Sequence, residues 1–184
     1  MRKKGFVWIS AVLYIALGIV AISLVMTAGL PLINKMKDRN TILQTKELMH
    51  TIDKNIQQVR SEGVGSRRYL EPVIIKGGKL FIDDFENRIW WEIKTKAKIM
   101  EACKESDTDK NKCTQSEGNL KMYAFYTPVE GEYLIRIELD YGTDDGENIN
   151  LQIGGDYTSG SALVGKYALS IEKQAGNTIE IGVI

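Results

Sequence analysis

The chain has 184 residues, with 24 basic and 24 acidic side chains, one histidine (His50) and two cysteines (Cys103 and Cys113). That length suits one ordinary domain plus an appendage, and a net charge of zero gives no reason to expect nucleic acid or a strongly acidic partner. Two cysteines are too few for a disulfide scaffold, and a lone histidine has no company for a zinc site.

The first element is marked by where charge is missing. After the basic opening "MRKKG", no residue from Gly5 to Ile33 is charged. About 20 helical residues cross the hydrocarbon core of a bilayer, so this run is long enough to span. The apolar part of a secretory signal is usually about 7–15 residues. Here it is longer, and "MTAG" at 26–29 puts Met26 where a cleavage site wants a small residue. A helix retained in the membrane is the better reading.

Basic residues lie at both ends of the run: Arg2, Lys3 and Lys4 before it, Lys35, Lys37 and Arg39 after it. The positive-inside rule therefore gives only a slight bias. The cysteines decide the orientation. Cys103 and Cys113 flank the polar loop "KESDTDKNK", and closing it as a disulfide would contribute about 2–3 kcal/mol. Such a bond persists outside the cytoplasm. The N-terminus is then cytoplasmic and the rest of the chain extracytoplasmic; two free thiols are the alternative.

Pro31, with Gly29 beside it, predicts a kink or short break, because proline lacks the amide hydrogen and crowds the preceding turn. Beyond it Ile42, Thr45, Met49, Ile52, Ile56 and Val59 recur at three- and four-residue steps. This narrow stripe predicts an amphipathic helix that packs on the following domain or on a copy of itself. The glycines of "SEGVGS" at 61–66 provide a stop.

From residue 66 the period becomes two. "YLEPVIIK", "GG" and "KLFIDD" read as a hairpin, with Pro72 pushing its first strand to an edge or to a bulge. Alternation then continues through Ile89, Trp91 and Ile93; through Leu120, Met122, Ala124 and Tyr126; and through Tyr133, Ile135, Ile137 and Leu139. It resumes at Ile149, Leu151 and Ile153, at Tyr167, Leu169 and Ile171, and at Ile179, Ile181 and Val183. Segment 96–105 reads as a short helical insertion. The expected fold is α+β: a long N-terminal helix, then seven or eight strands in an antiparallel sandwich-like or barrel-like domain. The divisions are a leader at 1–5, a membrane or filament-core helix at 6–30, an amphipathic helix at 31–62 and a β-rich domain at 66–184.

The chain offers no enzymatic constellation. His50 has no second ligand three or four residues away, and nothing near it resembles a triad. Neither a P-loop nor a nucleophile elbow occurs. The glycine pairs at 77–78 and 154–155 read as turns. "DTD" at 107–109 and "TDDGEN" at 143–148 read as acidic turns, the latter lacking the ligand spacing of an EF-hand. Trp90 and Trp91 point to opposite faces of a strand, so one belongs to the core and the other could be a subunit contact. Neither metal nor cofactor is expected.

A short basic leader ending in glycine, "MRKKG", then Phe6 and an uncharged helix, an amphipathic extension and a β-rich domain, together resemble the archaeal type IV pilins and archaellins, proteins with a class III signal peptide. The likeness is closest over residues 2–30 and architectural beyond. It implies cleavage between Gly5 and Phe6 by a membrane prepilin-type peptidase, with Lys3 and Lys4 as recognition charges. It further implies a helix that first anchors the subunit and then, through the pilus assembly machinery, bundles with its copies in a homo-oligomeric cell-surface filament. Two positions depart from the family pattern. Ser10 stands where many pilins carry glutamate, and Phe6 stands where glutamine or another family-typical residue is common. The other reading is a monomeric single-pass membrane protein displaying a β-sandwich binding domain outside the cell.

Overall fold

The computed structural model describes residues 4–107, 110–142 and 148–184, with the backbone alone at residues 4–7 and 28. Helix α1 runs from Lys4 to Ser61. Eight strands follow: β1 (Arg67–Asp83), β2 (Arg88–Thr95), β3 (Thr114–Glu117), β4 (Leu120–Tyr126), β5 (Tyr133–Asp140), β6 (Asn150–Gly154), β7 (Leu163–Lys173) and β8 (Thr178–Val183). The chain divides into two units, one ending at Asp38 and the other covering Arg39–Ile184. The boundary falls inside α1, so the amphipathic part of the helix belongs to the sheet domain.

Helix assignment continues through Pro31, so the short break expected there does not occur. A proline removes one i→i−4 bond without preventing its neighbours from making theirs. The helix stops at Ser61. The Glu62 amide still bonds the Val59 carbonyl at 3.2 Å, and Gly65 takes a positive φ of 88° before the chain enters β1.

The α+β class stands, but the second layer is helical. All eight strands form one sheet in the order β3-β4-β5-β2-β1-β7-β8-β6, rather than the two opposed sheets of a sandwich. Every pairing is antiparallel except β6 with β8. Ile42, Met49, Ile52, Ile56 and Val59 of α1 are buried in one core with Trp91, Ile137, Leu169 and Ile181 of the sheet. The stripe seen in the sequence thus packs on its own domain.

Eight strands at about 4.8 Å spacing span roughly 34 Å, while a helix is about 10–12 Å across. One helix cannot cover such a width unless the sheet curls around it. The curl is visible in its hydrogen bonds. The Ile149 amide donates to the Tyr141 carbonyl at 3.2 Å, and the Leu151 amide donates to Asn87 Oδ1 at 2.8 Å. The β6 edge is thereby returned to the ends of β2 and β5.

Strand β1 corrects the expected hairpin. Residues 67–83 form one strand, paired with β7 on one side and β2 on the other. Pro72 lies at a register shift between Leu70 and Val73, in the middle of the sheet and not at its edge. Gly77 and Gly78 lie in a second shift, between Ile75 and Leu80. Here the Trp91 indole Nε1 donates to the Gly77 carbonyl at 2.9 Å. Gly78 has φ +74°, and a Cβ there would stand 2.4 Å from the Glu92 carbonyl oxygen. The bend needs glycine because another strand's backbone occupies the space of a side chain.

Candidate functional site

From Trp8 to Met36, the large apolar side chains of α1 face outward. Trp8 is 76% exposed, Leu17 67% and Met36 65%. Six residues later Ile42 is 2% exposed. An 18-residue window of this helix reaches a mean hydropathy of 2.6, so it is long and apolar enough to cross a membrane. Two of its hydroxyls are satisfied internally: Ser23 Oγ donates to the Ile19 carbonyl at 2.8 Å, and Thr27 Oγ1 donates to the Ser23 carbonyl at 2.7 Å. Such a surface carries little hydrogen-bonding demand and much apolar area. Burying one Val, Leu, Ile or Phe side chain is worth about 1.5–3 kcal/mol. The helix therefore favours lipid or other apolar helices over water.

The leader residues are only partly visible. Lys3 lies outside the described residues. Of Lys4, Gly5 and Phe6 the backbone is described, and it is helical.

Cys103 and Cys113 form the expected disulfide, with Cα atoms 5.7 Å apart. Both are buried against Phe125, with Tyr123 and Leu134 alongside. The bond ties down a sheet edge. β3 pairs with only the first part of β4, from Leu120 to Tyr123. Cys103 takes over from there: its amide donates to the Ala124 carbonyl at 3.1 Å, and its carbonyl accepts from the Tyr126 amide at 2.9 Å. No helix forms over 96–105, contrary to the sequence reading; a 3-10 turn at Asn111–Cys113 comes later. At Cys103 the backbone bonds to β4 instead.

His50 is half-exposed, and its Nε2 lies 3.3 Å from Glu117 Oε2. Lys46 Nζ contacts the same carboxylate at 2.5 Å. The Lys46 hydrogen bond, then its charge, holds the Glu117 carboxyl below its ordinary value. This cluster latches α1 to β3. Trp91 is the core tryptophan. Trp90 is half-buried, stacked on Phe81 at 4.9 Å between centroids and topped by the Arg88 guanidinium at 4.9 Å. Arg67 pairs with Glu172 and Arg68 with Glu62. Among the described residues no group of His, Cys, Asp and Glu could hold a metal ion. Thr108, Asp109 and residues 143–147 lie outside the described residues, and with them most of both acidic turns.

Sequence reasoning missed two links. Asp53 Oδ1 accepts hydrogen bonds from the Tyr141 hydroxyl at 3.0 Å and from Asn119 Nδ2 at 3.4 Å. Asn87, at φ +52°, turns the chain between β1 and β2 and offers its side-chain oxygen to β6. An asparagine before a strand is a recognisable turn signal, but nothing local indicates which distant amide it serves.

Compared with known proteins, the chain matches no family model, no curated protein and no solved structure.

Proposed function

We propose that this protein is a structural subunit of a type IV pilus-like surface filament, anchored and then assembled through its N-terminal apolar helix. The observation that carries this reading is the change in burial along one helix. Apolar side chains are exposed up to Met36, whereas those of the stripe, Ile42, Met49, Ile52, Ile56 and Val59, are enclosed. The sheet domain has already used its amphipathic stripe, so the helix before Arg39 is what remains for association. Lipid suits it in the anchored state, and identical helices suit it equally in a filament core. Removal of residues 1–5 would take away Arg2, Lys3 and Lys4 and keep the span whole. The partners are then the membrane, a prepilin-type peptidase, the assembly machinery and further copies of the chain.

Gly5→Leu tests the reading. The variant should stay uncleaved, remain in the membrane fraction and be missing from sheared surface filaments. Normal maturation and normal filaments would refute it. Ser10 favours a second reading, a single-pass protein that displays its sheet domain as a monomer. A glutamate there would pair with a neighbour's new amino terminus in the resembled family, and serine carries no charge for that pairing. Under this reading the protein is missing from sheared filaments in the wild type as well.

A further inference from the structure

Residues 94–98, "KTKAK", alternate in exposure. Lys94, Lys96 and Lys98 are exposed, while Thr95 and Ala97 are buried. The segment closes the end of the core at which the chain enters the sheet domain. Its position follows from its neighbours. Ile93 Cδ1 and Thr41 Cγ2 both lie 3.4 Å from where a Cβ on Gly77 would be, so β2, the β1 bend and the start of the domain's helix meet here. Ile99 and Met100 continue into the same core that holds Ile42. Lys76, next to Gly77, and Arg39 are exposed at this end as well.

The β4–β5 turn lies at the same end, because Thr95 pairs with Tyr133 and Tyr133 with Tyr126. Tyr126 and Val129 are more than half exposed. Carboxylates are found at this end too: Asp38 beside Arg39, Glu101 3.8 Å from Lys98, and Glu130 and Glu132 in the turn. Tyrosine is enriched at both membrane–water interfaces, and tyrosine and lysine both serve as interfacial anchors. The last residue of the uncharged run, Ile33, precedes Arg39 by six positions. Covalent reach alone keeps the two within about 20 Å.

We propose that this end of the sheet domain is a docking surface for anionic lipid headgroups, with Lys76, Lys94, Lys96 and Lys98 as the charged contacts and Tyr126 as the interfacial aromatic. It rests on the reading that the N-terminal helix spans a bilayer. In the anchored state the surface holds the domain down on the membrane. Extraction of the helix would have to release it.

The test uses the full chain reconstituted into vesicles of phosphatidylcholine, alone or mixed with phosphatidylglycerol. A membrane-impermeant amine-reactive ester labels outward-facing copies, and mass spectrometry reads each lysine. In anionic vesicles Lys76, Lys94, Lys96 and Lys98 should react about fivefold more slowly, a factor equivalent to about 1 kcal/mol per lysine at a charged surface. High salt should restore the rate. Lys54, exposed farther along the helix, should react equally in both. The triple variant Lys94→Gln, Lys96→Gln, Lys98→Gln should return Lys76 to its rate in neutral vesicles. Equal rates in both vesicles, or protection of Lys54 to the same degree, would overturn the proposal and leave the filament reading standing. A chain that fails to float with either vesicle would overturn the membrane reading and this proposal together.

Discussion

The Tyr141 hydroxyl donates a hydrogen bond to Asp53 Oδ1 at 3.0 Å, joining the residue just after β5 to the last third of α1. The tyrosine is buried and the carboxylate partly so. Burial, then the neighbouring Asp53 charge, raises the Tyr141 pKa well above its ordinary 10. A group whose folded pKa is raised contributes stability below its unfolded pKa and loses it as pH climbs. The wild type should therefore weaken progressively above about pH 10. Tyr141→Phe should cost about 1–2 kcal/mol at pH 7 and flatten the alkaline limb. Urea melts at pH 7 and above pH 10 measure both. An equally steep alkaline loss in the variant would assign it to another group.

Ile52 is fully buried under the sheet, whereas Leu43, two and a half turns earlier on the same helix, is half-exposed. Ile52→Ala should destabilise the sheet domain by about 2–5 kcal/mol through lost burial and a residual cavity. Leu43→Ala should stay within about 0.5 kcal/mol. Chemical denaturation of the two variants checks the contrast. Similar losses would mean that the helix is not held by the stripe.

The stripe was readable because helix periodicity is a local property. The same holds for the alternation of Ile135, Ile137 and Leu139, and of Leu169 and Ile171, all buried as expected. Between a sandwich and a single barrel-like sheet the sequence did not choose. An apolar strand face demands a cover, but its period does not say whether a second sheet or a helix supplies it. β1 was misread for a related reason. Pro72 and the Gly77–Gly78 pair are turn punctuation locally, and only β7 and the Trp91 indole, far along the chain, hold them inside one strand. In the candidate site, the uncharged run and the cysteine pair were plain from composition. The lysine alternation at 94–98 was present in the sequence as well, but its meaning depends on which end of the domain it closes.

The disulfide should matter most where Cys103 completes the β4 edge. Cys103→Ser with Cys113→Ser should cost about 2–3 kcal/mol for a loop of this size. Hydrogen exchange should quicken at the Tyr126 amide, which donates to the Cys103 carbonyl. The Ile137 amide, on central strand β5, should change only with global stability. Unaltered exchange at Tyr126 would show that the edge holds without the bond.

Glu138 sits on the outer face of β5, between Lys121 and Trp90 in register. Burial raises its pKa above the ordinary 4.5, against the pull of Arg88, with Asp140 adding to the rise. A raised carboxyl favours the folded state at low pH and loses that contribution as pH rises past its folded pKa. Glu138→Gln should therefore be neutral to stabilising at pH 7, and any gain over wild type should vanish below about pH 4.5. Thermal melts of both proteins at pH 4 and pH 7 give the comparison. A variant clearly weaker at pH 7 would show that the pairs with Arg88, Arg136 and Lys121 outweigh the burial of the charge.

The account turns on a helix that loses a few basic residues and keeps its apolar length. Intact-mass and N-terminal peptide mass spectrometry of the native protein addresses this directly. The account predicts a chain that begins at Phe6, recovered from membranes and from sheared filaments. A chain that still begins at Met1, or one that lacks the whole segment up to Ile33, would contradict it.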